Sequence, residues 1–289
     1  MMHKVGTIQS IWRYPVKGMA GESLPECRIS AEGLEGDRIW AVQDCVRQEI
    51  QSCKFRPDLL RCQATCCTSN AGALSGDVDI TLPDNKTVAS NNPAVHSLIS
   101  ELLKRDSQLC RRQPFDQSES FYRRHKQDDH TWLEELKATF TREPGEPLPD
   151  LENLPQTMQD YVTIPGTFFL VSHCHILTTA SLSHMQALQP NADWAVERFR
   201  PNLMIKSEPG CEGLIEQDWI GKKLQIGELE IACESPAPRC GAVTRAQKHL
   251  PSDTSLLRSI VKHADQNLGI YGNIGGSGIL RQGDAVFLI

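Results

Sequence analysis

A strand-like run of alternating apolar residues in the last quarter of the sequence leads directly into two prolines. Leu229, Ile231 and Cys233 occupy alternate positions, which is the pattern of a strand with one buried face. Pro236 and Pro238 follow, and a proline fixes its own φ angle and lacks a backbone N–H. The two prolines are therefore expected to end the hydrogen-bonded ladder and to stiffen the chain that follows.

The residues that this stiff segment delivers are Arg239 and Cys240. A thiol beside an arginine is well placed to be a thiolate, which is the nucleophilic and metal-binding form of cysteine. A small buried hydrophobe is the other role open to Cys240, because cysteine is among the most buried residue types. The stiff segment before Cys240 favours the role of a reactive or metal-binding thiolate, and we treat Cys240 as a candidate functional residue.

Length and charge limit the classes of protein that the sequence fits. The 289 residues can bury a sizeable core in one large or two modest domains. The net charge of −6 argues against a general binder of nucleic acid or of anionic membranes. No apolar run approaches the roughly 20 residues of a transmembrane helix, and the N-terminal MMHKVGTIQS resembles neither a signal nor a transit peptide. We expect a cytoplasmic protein without nucleic-acid or membrane partners.

The cysteines and histidines do not form a familiar metal motif. The densest group of the 11 cysteines is Cys53, Cys62, Cys66 and Cys67, and its spacing fits neither a plant-type iron–sulfur site nor two zinc-binding pairs. Without a secretion signal, free thiols packed in strands are favoured over disulfides. The triplet at 173–175, His-Cys-His, is interpreted as strand residues that line a core or a pocket wall, because side chains alternate along a strand.

Local patterns also predict several elements. Helix-start patterns occur at residues 91–93, 178–181 and 251–253. The Pro- and acid-rich residues 143–165 predict an extended connection rather than a packed element. A basic stretch between Arg111 and Lys126 is interpreted as solvated surface, with a docking patch for an acidic electron-transfer partner as the alternative.

Five short motifs carry a resemblance to a known family. They are RFRPN at 198–202, Asp218-Trp219 before a glycine-turn strand, Arg239-Cys240, YPVKG at 14–18 and GDRIW at 36–40. The first three resemble the MOSC domain, which occurs at the C-terminus of molybdenum-cofactor sulfurases and in amidoxime-reducing proteins. The last two resemble the β-barrel-like domain that precedes MOSC in the same proteins. The resemblance is weakest between residues 45 and 163.

This resemblance implies an α+β, β-rich fold in which a MOSC β-barrel packs against a smaller N-terminal β-barrel-like domain. We expect the N-terminal domain over residues 1–110, a variable connection over 111–165 and the MOSC domain over 166–289. Both YPVKG and RFRPN contact anions in the family, so both ends of the chain are expected to contribute to one cleft.

The resemblance also implies a molybdenum cofactor, Mo-molybdopterin, with Cys240 as catalytic residue and metal ligand. A soft thiolate suits such a metal, and the planar fork of arginine suits phosphate and pterin edges. The remaining cofactor-binding residues are predicted to be Lys17, Gly18, Arg38, Ser172, Thr178, Arg200, Asn202 and Arg239. Ser172 and Thr178 rest only on the LTTASL-like start of a helix. Pyridoxal phosphate is not expected.

The function implied is the reduction of N-hydroxylated or N-oxide compounds, with electrons from a separate donor protein because no fused ferredoxin domain follows the barrel. Two alternatives remain open. Cys240 can carry a persulfide in a sulfur-transfer protein, which needs only a reactive and exposed thiol. The chain can also be a carrier that binds the cofactor without turnover.

Overall fold

The structure is a computed structural model, and it describes residues 2–69, 72–125, 132–142, 144, 146, 148–149, 151 and 153–289. The strands are β1 (His3–Arg13), β2 (Glu22–Leu24), β3 (Glu26–Ser30), β4 (Gly33–Leu34), β5 (Trp40–Asp44), β6 (Glu49–Ile50), β7 (Gln63–Thr68), β8 (Leu74–Thr81), β9 (Thr87–Ala89), β10 (Ser107–Arg111), β11 (Cys174–Thr178), β12 (Leu203–Ser207), β13 (Lys223–Ile226), β14 (Leu229–Pro238), β15 (Asn267–Gly275), β16 (Gly278–Arg281) and β17 (Ala285–Leu288). The α-helices are α1 (Ala94–Leu103), α2 (Phe115–Tyr122), α3 (Trp132–Ala138), α4 (Gln156–Asp160), α5 (Thr179–Leu188) and α6 (Ser255–His263). Short 3₁₀ helices lie at Pro57–Arg61, Val196–Arg198, Ile215–Trp219 and Gly241–Thr244.

Seven strands close into a barrel. Their order around it is β12, β11, β15, β14, β13, β17 and β1, and β1 then pairs with β12 to complete the ring. β11 and β12 run parallel, whereas the other neighbouring pairs in the ring are antiparallel. Closure leaves no unpaired edge among these strands, and the short β2 extends the sheet beyond β1.

Aliphatic side chains fill the barrel interior. Because successive side chains of a strand point to opposite faces, every second residue contributes to this core. Its members include Ile8, Ile11, Ile176, Leu203, Ile205, Leu224, Ile231, Ile270, Ile274 and Val286. Removing each such side chain from water contributes about 1.5–3 kcal/mol before the loss of conformational entropy is counted. The predicted α+β, β-rich fold with a barrel is confirmed.

A second core lies under two smaller sheets and helix α1. The sheets have the orders β10-β5-β6 and β7-β8-β9. Their buried residues include Val16, Met19, Val42, Leu59, Val78, Ile80, Val95, Ile99 and Leu109. The N-terminal part of the chain is not separate from the barrel, because β1 is one of the barrel strands and β16 pairs with β3. The division of the chain at residues 110 and 165 stays a prediction.

Helices α5 and α6 cover part of the outer face of the barrel. Their contact with it is a third core, which includes Leu177, Met185, Trp194, Phe199, Met204, Leu256, Ile260 and Leu268. The predicted helix starts at 91–93 and 178–181 are confirmed: Asn92 Oδ1 accepts from the Ala94 N–H at 3.0 Å, and Thr178 caps α5. Within the described part of the chain, no helix has both the length and the apolarity needed to cross a membrane.

The middle of the chain contains more packed structure than its composition predicts. Helix α4 and the buried Val162 both fall inside residues 143–165, so the expectation of a wholly extended connection is wrong for its second half. A fourth apolar cluster of Ala41, Ile50, Tyr122, Val162 and Phe168 explains the difference, because it gives this segment a surface to bury against. Residues 143, 145, 147, 150 and 152 lie outside the described residues.

The basic stretch that begins at Arg111 is engaged in local contacts. Arg112 forms an ion pair with Glu32 at 2.9 Å. Arg124 donates to the carbonyl groups of Met158 at 3.0 Å and Tyr161 at 3.1 Å. Lys126, which belonged to the same prediction, lies outside the described residues. These contacts give the stretch a structural role, and the docking alternative stays a prediction.

Candidate functional site

A cavity of about 190 Å³ brings together eight of the nine predicted site residues. The eight are Lys17, Gly18, Arg38, Ser172, Arg200, Asn202, Arg239 and Cys240. They come from the turn after β1, from the segments before β5, β11 and β12, and from the residues directly after β14. The expectation that both ends of the chain contribute to one cleft is therefore confirmed.

Cys240 lies between two backbone contacts that fix its neighbours. The Arg239 N–H donates to the Gln266 carbonyl at 2.8 Å, and the Gly241 N–H donates to the Thr139 carbonyl at 2.7 Å. The ladder of β14 continues through Pro236 to Pro238, with register shifts between Cys233 and Ser235 and between the two prolines, so it ends only at the second proline. The thiol is thus presented by a segment whose backbone is held on both sides.

Lys17 is a buried cation with an altered proton affinity. Its side chain is only 7% exposed, and Nζ donates to the Phe168 carbonyl at 2.9 Å. Burial lowers the pKa of the Lys17 amine to about 7, and the nearby Arg38 guanidinium lowers it further. The amine is charged in only part of the molecules at neutral pH, and an anion beside it would favour the charged form.

Arg38 and Arg200 both lie over the ring of one tyrosine. The Arg38 Cζ is 5.2 Å and the Arg200 Cζ 4.2 Å from the centre of the Tyr14 ring. Arg38 is also paired with Asp37, and Arg200 donates to the Met19 carbonyl. Both arginines have a left-handed backbone, with φ of 49° and 56°, which costs a non-glycine residue of order 1–3 kcal/mol. The fold maintains both positively charged groups at the cavity despite this strain.

Arg239 has a hydrogen-bonding capacity that the protein does not use. One of its terminal nitrogens donates to the Phe199 carbonyl at 2.7 Å, while its buried Nε has no partner. His175 lies 3.5 Å from the other terminal nitrogen, and burial together with the Arg239 charge lowers the pKa of this imidazole to about 3. His175 is therefore a neutral group in the cavity wall, which agrees with its predicted pocket-wall role.

The side-chain amide of Asn202 forms hydrogen bonds to three other segments of the protein. Nδ2 donates to Asp37 Oδ2 at 2.8 Å and to the Trp12 carbonyl at 3.2 Å, and Oδ1 accepts from the His175 N–H at 3.1 Å. Both amide hydrogens are thus engaged within the protein. The structure gives Asn202 the role of a cross-link behind the cavity, and its direct contact with a cofactor stays a prediction.

The two hydroxyl residues of the prediction have different positions. Ser172 lines the cavity and donates to the Gly272 carbonyl at 2.8 Å. Thr178 does not line it: its hydroxyl accepts from the Ser181 N–H at 3.2 Å and donates to Glu216 at 2.7 Å. Both Thr178 and Glu216 are fully buried. Thr178 is therefore a helix cap beside a buried carboxyl group. Because Thr178 does not line this cavity, the cavity gives no support to its predicted contact with a cofactor.

Several cavity residues were not anticipated. Among them are Cys53 and Lys54 in the loop after β6, Phe140 after α3, and Tyr271 in β15. Cys53, Lys54 and Phe140 lie in irregular segments without a periodic pattern, so the sequence carried no signal of where they point. Tyr271 is paired with His175 across two barrel strands, and the two rings are 5.6 Å apart, but that pairing is long-range and not readable from the sequence.

Two family models match the chain in succession. The MOSC N-terminal beta barrel domain matches residues 5–121, and the MOSC domain matches residues 166–287. The chain is therefore a MOSC protein that carries both domains, as the sequence motifs indicated. The cation-lined cavity around Cys240 draws residues from both matched regions.

Similar proteins include amidoxime-reducing components. The chain is 24% identical to the mitochondrial amidoxime reducing component 2 of Homo sapiens, over 99% of this chain and 84% of the relative. It is 26% identical to the mitochondrial amidoxime-reducing component 1 of Homo sapiens, over 83% of this chain and 66% of that protein. Among solved structures, the YUAD protein from Bacillus subtilis aligns with a TM-score of 0.43 and 9% identity, over 100% of this chain and 98% of that one.

Proposed function

We propose that this protein holds a molybdenum cofactor in the Cys240 cavity and reduces N-hydroxylated or N-oxide compounds. The observation that carries the proposal is a thiol that shares a small cavity with six lysine and arginine residues. These are Lys17, Arg38, Lys54, Arg198, Arg200 and Arg239. The names of the related amidoxime-reducing components support the same substrate class.

The donor set of the cavity fits such a cofactor. A cysteine thiolate is a soft ligand that suits molybdenum bound also through dithiolene sulfur, and arginine and lysine suit its phosphate. The unpartnered Nε of Arg239 is a donor that the protein itself leaves unsatisfied, as expected of a group that contacts a ligand. When bound, the cofactor would supply a redox centre for the two-electron reduction of an N–O bond.

The protein's own residues would bind and orient this group. Cys240 would ligate the metal, and the backbone contacts of Arg239 and Gly241 would hold the thiolate in one position. Lys17 and Arg200 would balance anionic charge inside a cavity that burial has largely desolvated, where such pairs are stronger than in water. His175 would remain neutral and would add no charge at the metal. A separate electron donor and a cytoplasmic location stay predictions from the sequence.

The test compares two cysteines that β14 and its continuation place differently. Cys240→Ser should keep the fold but lose molybdenum and reductase activity, because a neutral hydroxyl is a harder and weaker ligand than a thiolate. Cys233→Ser is the control, since Cys233 is buried in the barrel core and does not line the cavity. Both variants would be made in a host that synthesises the cofactor. Molybdenum content and reduction of an N-hydroxylated compound by an artificial electron donor would then be measured.

Each outcome of this test separates one function from the others. Full activity in Cys240→Ser would contradict the metal-ligand role. A wild-type protein with a Cys240 persulfide and no molybdenum would indicate the sulfur-transfer alternative. Stoichiometric molybdenum without reduction of any N-hydroxylated substrate would indicate a cofactor carrier.

A further inference from the structure

A second cavity has a wall rich in arginine. It has a volume of about 300 Å³ and is lined by residues of β6, of the loop after β6 and of α3. Four arginines and two glutamates contribute to the lining. The arginines are Arg47, Arg56, Arg105 and Arg124, and the glutamates are Glu49 and Glu135. A concave surface with an excess of positive charge attracts anions.

Two of the four arginines are paired with carboxylates of the protein. Arg105 forms an ion pair at 2.8 Å with Asp44, which is fully buried. Arg47 lies 3.6 Å from a carboxylate oxygen of Glu49. These two guanidinium groups therefore have their charge offset within the protein and do not need a ligand.

Arg56 has no carboxylate partner of this kind. Its side chain is half-buried, and one Nη donates to the Phe55 carbonyl at 3.0 Å. Burial lowers the pKa of Arg56, and the nearby Arg105 guanidinium lowers it further. The carboxylates of Asp44 and Glu135 raise this pKa, but in the described part of the chain no carboxylate lies within ion-pair distance of Arg56. An anion beside Arg56 would offset a charge that the protein leaves without a direct partner.

Arg124 is the second arginine without a carboxylate at ion-pair distance among the described residues. Two carbonyl groups, those of Met158 and Tyr161, accept hydrogen bonds from its Nη2, while its buried Nε has no partner. The Cζ also lies 4.4 Å from the centre of the Trp132 ring. These contacts hold the guanidinium at the cavity wall, so that little side-chain entropy is lost when a ligand binds to it.

We propose that this cavity is a binding site for a small phosphate monoester, held by the guanidinium groups of Arg56 and Arg124. A dianionic phosphate would balance the two charges that lack a carboxylate partner, and the planar fork of arginine matches two phosphate oxygens. The cavity has room for more than a phosphate group, and Trp132 adds an aromatic surface to its wall. The organic part of the ligand would pack there.

This site is separate from the Cys240 cavity, although the two are neighbours. Ser52 lines both cavities. Its carbonyl accepts from the Phe55 N–H at 3.0 Å and from the Arg56 N–H at 2.9 Å, which makes this segment a tight turn. The two residues that follow Ser52 line the Cys240 cavity. One turn thus contributes to both sites, and the cations of the second site are not those proposed to hold the cofactor.

The test measures phosphate binding to the full-length protein by isothermal titration calorimetry, with inorganic phosphate and with phenyl phosphate as probes. Arg56→Met should weaken the binding of both probes about tenfold or more, because it removes charge-assisted hydrogen bonds. It breaks no ion pair among the described residues, so the fold should be kept, and circular dichroism would verify this. Arg56→Lys keeps the charge without the fork and should recover part of the affinity.

Arg61→Met is the matched control. It removes the same charge five residues further along the chain, from an exposed side chain that is paired with Asp58 and lines neither cavity. We expect Arg61→Met to bind both probes as the wild type does. An equal loss of affinity in Arg56→Met and Arg61→Met would show a general effect of net charge and would overturn the site.

The remaining outcomes separate this inference from the proposed function. Equal affinities in the wild type and in Arg56→Met would overturn the second site. A loss of binding in Lys17→Met but not in Arg56→Met would also overturn it, and would locate the phosphate in the Cys240 cavity instead. Tighter binding of phenyl phosphate than of inorganic phosphate would support a monoester, whereas the reverse order would contradict the organic part of the ligand.

Discussion

At the scale of single residues, the buried amine of Lys17 indicates what kind of ligand the cavity favours. An amine with this degree of burial and three cations nearby is unfavourable in its charged form. The contact to the Phe168 carbonyl compensates for only part of this cost. Such an arrangement fits a site that binds an anion. A bound anion would raise the pKa of Lys17 again and favour the charged amine.

The first prediction uses the titration of Lys17 in the cofactor-free protein. Its pKa is lowered, so the charged amine destabilises the folded state at pH values below about 7. Between pH 7 and roughly 10 the unfolded state binds the extra proton, and stability must rise with pH by at most about 1.4 kcal/mol per unit. Lys17→Met should remove this rise. Urea unfolding of both proteins at several pH values measures the difference.

Other titrating groups are shared by the wild type and the Lys17→Met variant, so they cancel in the comparison. Lys248→Met provides a matched control, because Lys248 lies far more exposed on a different cavity. Equal pH profiles for the wild type and Lys17→Met would show that the amine titrates at its ordinary value.

At the scale of elements, helix α5 and the residues before it explain the corrected position of Thr178. The Thr178 hydroxyl caps the helix and supports the carboxyl group of Glu216, whose pKa is raised by burial. A capping role and a cofactor role look alike in the sequence, because both place a hydroxyl at the start of a helix. The structure distinguishes them by the face on which the hydroxyl lies.

We predict that Thr178→Ala lowers the free energy of unfolding by about 1–3 kcal/mol, from the lost cap and the lost donor to a buried carboxyl. Molybdenum content per folded molecule should not change. Thr178→Ser is the matched control, because it keeps the hydroxyl and should recover most of the stability. Thermal unfolding and metal analysis of the three proteins provide the comparison. A variant with normal stability and depleted molybdenum would restore the cofactor role.

Local and long-range features differ in how well the sequence predicts them. The starts of α1 and α5 are encoded by caps within a few residues, and the motifs around Lys17, Arg200 and Cys240 led to one cavity. The closure of β1 against β12 and β17 was not readable, because pairing partners so distant in the chain leave no local pattern. Cys53 and Phe140 were missed for the same reason, since only the assembled fold turns their loops toward the cavity.

At the scale of the whole molecule, the recognised motifs form one hydrogen-bonded junction. The Tyr14 N–H donates to Asp37 Oδ1 at 2.7 Å, and the Tyr14 hydroxyl donates to the Pro201 carbonyl at 3.0 Å. Asn202 donates to the other oxygen of Asp37. The YPVKG, GDRIW and RFRPN motifs thus join the barrel to the smaller sheets and also present the cations of the cavity.

Asn202→Ala should therefore act mainly on stability. It removes a donor to Asp37, which is 2% exposed, and leaves the Trp12 carbonyl and the His175 N–H without the same partner. We predict a loss of about 2–5 kcal/mol in the free energy of unfolding, as measured by chemical denaturation. Asn267→Ala is the control, since that amide donates to the carbonyl of the exposed Asp265. An unchanged stability combined with lost cofactor would instead assign Asn202 to direct binding.

Closure of the barrel also has a consequence for biosynthesis. The ring is completed by β1 between β12 and β17, so this strand pairs with two strands that are synthesised well after it. Only the end of β1 finds an early partner, in the hairpin with β2. At a translation rate of about 5–20 residues per second, the rest of β1 stays without its barrel neighbours for roughly 10–60 s. Throughout that interval the apolar side chains of β1 are not packed in the barrel. The yield of folded protein therefore depends on how well the cell protects this strand from aggregation.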